Sequence, residues 1–422
     1  MKKLRVMLLT YGKLPIPAVK GGAVETLLDS LIEENEKHQL LELIIVSKDD
    51  VAITVFNKTH KFSKVIAVKT RERPLRWFMQ KVLNKVRFML TGKKKNLIPH
   101  PEIMTKAQDY LQNTAVDCLV DLNCPERIPI IRTFYSGKLA VYLHNDYLND
   151  QTMNGKEILQ QLDGVMSVCD FLAKQIKKIP KVKEVPPFYR VNNGIKLEDY
   201  QMASPIEKQT LRSELSLKKD DCVIVFSGRI TETKGVHLLL AALDKVKFKK
   251  NVKVLILGGT TYSAIKKDSY FKKVMAQAEQ LPIEVRFTGY IKKTEVPSYL
   301  KAADICAVPS IFHETCCLSA VEAQAMGVPV IVTRIGGVPE YISEDSALLI
   351  DYDKNYINNF AKGLDRLIHD DKFRKRLSDQ AIKGRNRHSQ KRYYEEFVRS
   401  IEQLTETEQL KKEESHENIN LD

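Results

Sequence analysis

Short apolar runs rich in branched residues alternate along this chain with longer stretches whose apolar positions recur every three or four residues. The first pattern is that of buried strands, the second that of amphipathic helices. Strand-like runs fall at 4–10, 42–47, 64–68, 116–121, 139–143 and 164–168, then at 222–227, 253–257, 284–288, 304–308, 328–333 and 347–350. Strands that alternate with helices in this way predict an α/β protein with parallel sheets. A chain of 422 residues is long for one domain and comfortable for two of roughly 190. Asn193-Gly194 is a turn and marks the entrance to a linker, so the boundaries expected are 1–196 and 197–385. Tyr393, Tyr394 and Phe397 at helical spacing predict a further helix over 386–404. Residues 405–422 are polar and aperiodic and are expected to be a disordered tail.

Composition adds exclusions. Seven cysteines at irregular spacings make neither a disulfide framework nor a CxxC metal pattern, and adjacent Cys316 and Cys317 are poorly placed to ligate one metal. The reading is a reduced, cytosolic protein. The apolar run in MKKLRVMLLTYGK is too short for a signal-peptide core, and nowhere do eighteen apolar residues run together. Charge is uneven. The formal net is +14, and residues 71–95 hold nine Lys/Arg against one Glu, a net of +8. From Pro74 onward, Leu75, Phe78, Met79, Val82, Val86 and Met89 share one helical face, with Arg76, Lys81, Lys85 and Arg87 largely on others. Such a helix either packs its apolar face inward or meets an anionic membrane surface, and the basic excess favours the membrane. No nucleic-acid motif accompanies the charge, so no nucleic-acid partner is expected.

The densest chemistry lies in 309–340, PSIFHETCCLSAVEAQAMGVPVIVTRIGGVPE. Glu314 precedes a helix-forming run, Ser319 to Ala325, that contains Glu322; Gly327 and Pro329 end it, and a β-branched strand follows. A helix starting after Glu314 aims its free N–H groups at an anion, and a diphosphate suits them. Carboxylates there have sugar or ribose hydroxyls to accept from. Upstream, Ser227-Gly228-Arg229 ends an apolar strand, and Lys234-Gly235 precedes a Leu-rich helix. A guanidinium fork and a lysine point charge suit a phosphorylated leaving group. Gly21 and Gly22 open a helix after the first strand, where glycine lets the backbone approach a ligand closely. This is not the G-x-G-x-x-G fingerprint, so a nicotinamide cofactor is disfavoured. His144 ends the strand AVYLHN, a position that favours ligand contact over a packed core.

Together these motifs resemble the retaining family-4 glycosyltransferases. The resemblance implies the GT-B fold, two Rossmann-like doubly wound parallel-sheet domains facing a cleft. It implies an N-terminal acceptor domain, a C-terminal nucleotide-sugar donor domain, and a final helix that crosses back to the first. By matching position, Glu314 contacts donor-sugar hydroxyls and Glu322 the ribose. Arg229 and Lys234 grip the diphosphate beside Gly228 and the amides of Leu318 and Ser319. Gly21, Gly22 and His144 lie close to the transferring sugar. No cofactor and no metal are implied, since these cations and dipoles assist the leaving group. The expected activity is hexosyl transfer from a UDP-sugar to a glycan or lipid-linked acceptor with retention, in capsule, exopolysaccharide or cell-envelope assembly, by a cytoplasmic protein peripheral to the membrane. A sugar-nucleotide epimerase or a non-catalytic binding protein on the same fold are the alternatives. The chain departs from the family pattern at Cys317, where glycine is usual, which leaves the identity of the donor open.

Overall fold

The computed structural model describes residues 3–71, 74–94, 98, 100–182, 184–260 and 269–417. It divides into two compact units, Met1–Gly194 with Gln390–Asp422, and Ile195–Ser389. The first is built on β1 (Leu4–Leu9), β2 (Leu41–Lys48), β3 (Ser63–Val68), β4 (Cys118–Leu122), β5 (Lys138–Leu143), β6 (Gly164–Ser167) and β7 (Phe188–Arg190). Their order is β3-β2-β1-β4-β5-β6-β7, and every pairing is parallel. The second contains β8 (Cys222–Ser227), β9 (Val252–Leu257), β10 (Glu284–Gly289), β11 (Ile305–Val308), β12 (Val330–Arg334) and β13 (Ala347–Asp351). Here the order is β10-β9-β8-β11-β12-β13, again parallel throughout.

Both units are doubly wound, as expected. Helices cover both faces of such a sheet, so its central strands are buried continuously rather than alternately. Cys118 to Leu122 and Cys222 to Phe226 are buried at every position. In the second unit Ile224, Phe226, Leu239, Ile305, Phe360 and Leu364 join one core, each large apolar side chain contributing about 1.5–3 kcal/mol. In each sheet the chain winds one way from a central strand and then the other. The strand pairs β1/β4 and β8/β11 are therefore switch points, where a crevice opens beyond the C-terminal strand ends.

Two boundaries differ from the sequence reading. Arg385–His388 form a tight turn held in the second unit, where Ile195 N donates to the His388 carbonyl at 2.8 Å. The last helix accordingly begins at Gln390 rather than 386, and it runs to Glu417, beyond the 404 expected. The segment 405–417, read as a disordered tail, is rich in Glu and also carries Lys, residues that favour helix; 418–422 lie outside the described residues. This helix packs within the first unit. The Tyr394 hydroxyl donates to Asn35 Oδ1 at 2.8 Å, Gln390 Nε2 to Glu34 Oε1 at 2.7 Å, and Tyr393, Phe397 and Ile401 are buried.

Candidate functional site

In the second unit the loops leaving β8 and β11 are stitched together. Gly228 N donates to the Leu257 carbonyl at 3.0 Å and Ile230 N to the Gly259 carbonyl at 2.9 Å, which fixes the backbone on either side of Arg229. The Arg229 side chain is exposed. Glu232–Lys234 then form one 3-10 turn that ends on Gly235, with φ +74°. A Cβ at Gly235 would lie 2.0 Å from the Pro309 carbonyl, so the loops approach this closely only with glycine there. Ile311 N donates to the Thr233 carbonyl at 2.9 Å, and Ser310 Oγ to the same oxygen at 3.2 Å.

This stitching sets Lys234 against Glu314. The ammonium pairs with Glu314 Oε1, and Ser310 Oγ donates to that same oxygen at 2.8 Å. The two side chains remain 27 % and 12 % exposed. Behind them, Gly337 N donates to the Glu314 carbonyl at 2.7 Å, while a Cβ at Gly336, φ +59°, would stand 2.3 Å from that carbonyl. The Gly-Gly loop thus clamps the main chain of Glu314.

The helix Leu318–Ala325 follows. Its end is the glycine motif expected: Gly327, φ +72°, donates to the Gln324 carbonyl at 2.9 Å and Val328 N to that of Ala323 at 2.9 Å. Leu318 and Ser319 occupy the first turn, whose N–H groups have no acceptor within a helix. Cys317, just before, has φ −87°, a conformation open to any L-residue, and its side chain is buried beside Ser319, Sγ to Oγ 3.5 Å. A side chain in place of glycine is therefore accommodated without backbone strain. Glu322 is 8 % exposed and accepts a hydrogen bond from the Tyr200 hydroxyl. Burial raises its pKa, against the Lys293 charge and the Tyr200 hydrogen bond.

The first unit has its own corner beyond β1 and β4. Gly21 and Gly22 have φ +72° and +105°, left-handed values that favour glycine at this entry to the helix Ala23–His38. His144 follows β5, its N–H and that of Asn145 both donating to Asn123 Oδ1 at 3.1 Å. The imidazole is 6 % exposed, tilted on Tyr142 with centroids 4.2 Å apart. Burial lowers its pKa to about 3, against a hydrogen bond with Asn193, so it is neutral. Beneath, Arg127 and Asp121 pair at 3.3 Å with neither side chain reaching solvent. Arg127 also donates to the Thr10 and Tyr11 carbonyls at 2.7 and 3.1 Å.

Lys234 and Glu314 are thus in direct contact. Leu318, Ser319 and Glu322 share one helix, and Gly228 and Arg229 share the β8 loop with Lys234. Gly21, Gly22 and His144 belong to the first unit, at the C-terminal edge of its sheet. Sequence reasoning missed Ser310, Tyr200, and the Asn123, Asp121 and Arg127 scaffold; the one available signal was Asn123, an asparagine between a strand end and a proline turn.

Comparison with known proteins agrees with this architecture. Residues 207–384 match the family described as Glycosyl transferases group 1. The chain is 23 % identical over 381 residues to the putative glycosyltransferase YtcC of Bacillus subtilis, covering 88 % of this chain and 85 % of that one. It is 22 % identical to spore coat protein SA of the same organism, covering 89 % and 92 %. Among solved structures, Anabaena HepE in complex with UDP and glucose superposes with a TM-score of 0.70 at 17 % identity, covering 95 % of this chain and all of that one. Two doubly wound parallel sheets give the chain the GT-B fold of this solved structure, its second unit matches the glycosyl transferases group 1 model, and over most of its length it resembles these bacterial proteins.

Proposed function

We propose that the chain transfers a hexose from a UDP-sugar to a glycan or lipid-linked acceptor with retention of anomeric configuration, in the assembly of a capsule, exopolysaccharide or cell-envelope glycan. The observation that carries this reading is the Lys234–Glu314 pair at the β8/β11 switch point, where a cation and a carboxylate are held side by side yet reach solvent. HepE was solved with UDP and glucose, which favours uridine here. Arg229 and Lys234 take the diphosphate, with Gly228 and the first-turn amides of Leu318 and Ser319 completing the anion site. Glu314, its Oε1 anchored by Lys234 and Ser310, offers its other oxygen to sugar hydroxyls. Glu322 takes the ribose.

In the transfer, the bond between the anomeric carbon and the diphosphate oxygen breaks. The acceptor oxygen bonds to that carbon on the same face, and its proton passes to the departing diphosphate. Charge grows on the leaving group, and Arg229 and Lys234 stabilise it in the role a metal serves elsewhere. In the first unit, Gly21 and Gly22 allow close backbone approach to the sugar, and neutral His144 orients it by hydrogen bonding. A thermal-shift panel of UDP-glucose, UDP-N-acetylglucosamine and GDP-mannose tests the donor, because a bound ligand raises the melting temperature. UDP-sugars should raise it and Lys234→Ala should lose the response. A rise with the GDP-sugar alone would overturn the uridine assignment. Isomerised sugar formed without acceptor would make the chain an epimerase instead.

A further inference from the structure

The helix Pro74–Thr91 in the first unit presents its apolar side outward. Phe78, Met79, Val82, Leu83, Val86 and Met89 are between 49 % and 78 % exposed. Their spacing of three and four residues puts them on one face. Among the described side chains of this helix, the two that are half-buried are polar: Asn84 and Arg87, joined at 3.2 Å. The packed-inward alternative is therefore not what the molecule does with this face. At about 3.6 residues per turn, Lys85 and Arg87 fall on opposite borders of the apolar stripe. Beyond Gly92 the chain is tied to the rest of the unit, Lys94 N donating to the Gln151 carbonyl and Met153 N to the Lys94 carbonyl at 2.7 and 2.8 Å. The Lys94 ammonium stands 4.5 Å from the Phe88 ring.

A contiguous apolar face of this kind in water marks a docking surface. Charge decides the occupant. The sequence from 78 to 94 holds no Asp or Glu, in a chain of net charge +14. A second copy docking face to face would set Lys85, Arg87 and Lys94 against their own duplicates. An anionic lipid leaflet takes the apolar stripe at its acyl boundary and the cations at its phosphates. The helix is not a span, since no described helix is long and apolar enough to cross a membrane. We propose that Pro74–Thr91 lies flat on an anionic lipid surface, with Phe78, Val82, Val86 and Met89 inserted and Lys85, Arg87 and Lys94 at the headgroups. This rests on the helix alone and does not depend on the transfer reaction.

The full chain, spun down with vesicles of phosphatidylcholine alone or mixed with phosphatidylglycerol, should sediment with the anionic vesicles and stay in solution with the neutral ones. The double variant Val82→Asp/Val86→Asp should lower the partition coefficient by roughly tenfold or more, and each of Lys85→Gln and Lys94→Gln by about fivefold. Because the substituted side chains are exposed, melting temperature and UDP-sugar response should not change. Equal sedimentation of wild type and the double variant, or no preference for anionic vesicles, would overturn the proposal. So would a dimer in sedimentation velocity without lipid that Val82→Asp/Val86→Asp dissolves, because the face would then belong to a second copy.

Discussion

At the corner of β1 and β4 the first unit holds Asp121 and Arg127 with no solvent on either side chain; at the corner of β8 and β11 the second holds Glu314 and Lys234, 12 % and 27 % exposed. The strand order around the two corners is the same, so topology alone does not separate them. What separates them is the partner set. Arg127 directs its guanidinium at the Thr10 and Tyr11 carbonyls as well as Asp121, which fixes the exit of β1 and leaves the cation committed to the fold. Burial there raises the Asp121 pKa to about 6 even with the arginine against it. Lys234 meets one carboxylate and a hydroxyl-braced oxygen at the surface, and in the proposed reaction it exchanges that carboxylate for a phosphate oxygen. The same crevice is built twice, with its ion pair dry in the first unit and open to solvent in the second.

Arg127→Ala should have the largest effect. It leaves Asp121 buried without its cation and should cost about 3–5 kcal/mol in unfolding free energy, read by urea denaturation. A cost below about 1 kcal/mol would mean that the dry corner is not structural, and the contrast would collapse. Lys234→Ala tests the other side: turnover should fall about a hundredfold or more, with unfolding free energy changed by less than about 1 kcal/mol. A variant that unfolded readily yet turned over normally would reverse the two assignments. Glu322→Ala comes next and should weaken UDP binding by about one to two decades, measured by calorimetry. Unchanged affinity would remove Glu322 from the ribose and confine the wet corner to the diphosphate end.

The two corners were unequally legible in sequence, and for physical reasons. Arg229, Lys234, Glu314 and Glu322 sit in loops, a 3-10 turn and the second turn of a short helix, flanked by glycines and prolines that punctuate the chain, and they were readable as a set. The Arg127 corner is made by tertiary burial, which no local pattern encodes: a basic residue after a proline turn reads as surface. Tyr200 meets Glu322 from more than a hundred residues away, across a linker turn that carries no periodicity. The twelve expected strands are all present within two residues at each end, the central ones because buried parallel strands are continuous apolar runs. β7 escaped because Phe188–Arg190 is three half-buried residues at a sheet edge after Pro186-Pro187, too short for any period. Cys317 looked like a departure from a needed glycine, and only the backbone angle shows that the position tolerates a side chain.

The smallest effect concerns how dry the first corner is. His144, on the loop braced by Asn123, has its pKa lowered by burial from 6.5 to about 3. Between those values the unfolded chain binds a proton that the native chain does not. Stability contributed by this group is therefore complete above pH 6.5 and is lost as pH falls toward 3. From pH 6.5 to 5.5 the loss is about 1 kcal/mol. His144→Gln keeps a hydrogen-bonding group toward Asn193 but cannot titrate, so its stability should fall less over that interval by the same amount. Reading the difference between the two proteins cancels other titrating groups, including Asp29, whose burial raises its pKa to about 6 and whose contribution runs the opposite way. If wild type and His144→Gln lose stability in parallel, His144 titrates near its ordinary value and water reaches the first corner too. Burial would then no longer distinguish the corners, and the contrast would rest on the Arg127 hydrogen bonds alone.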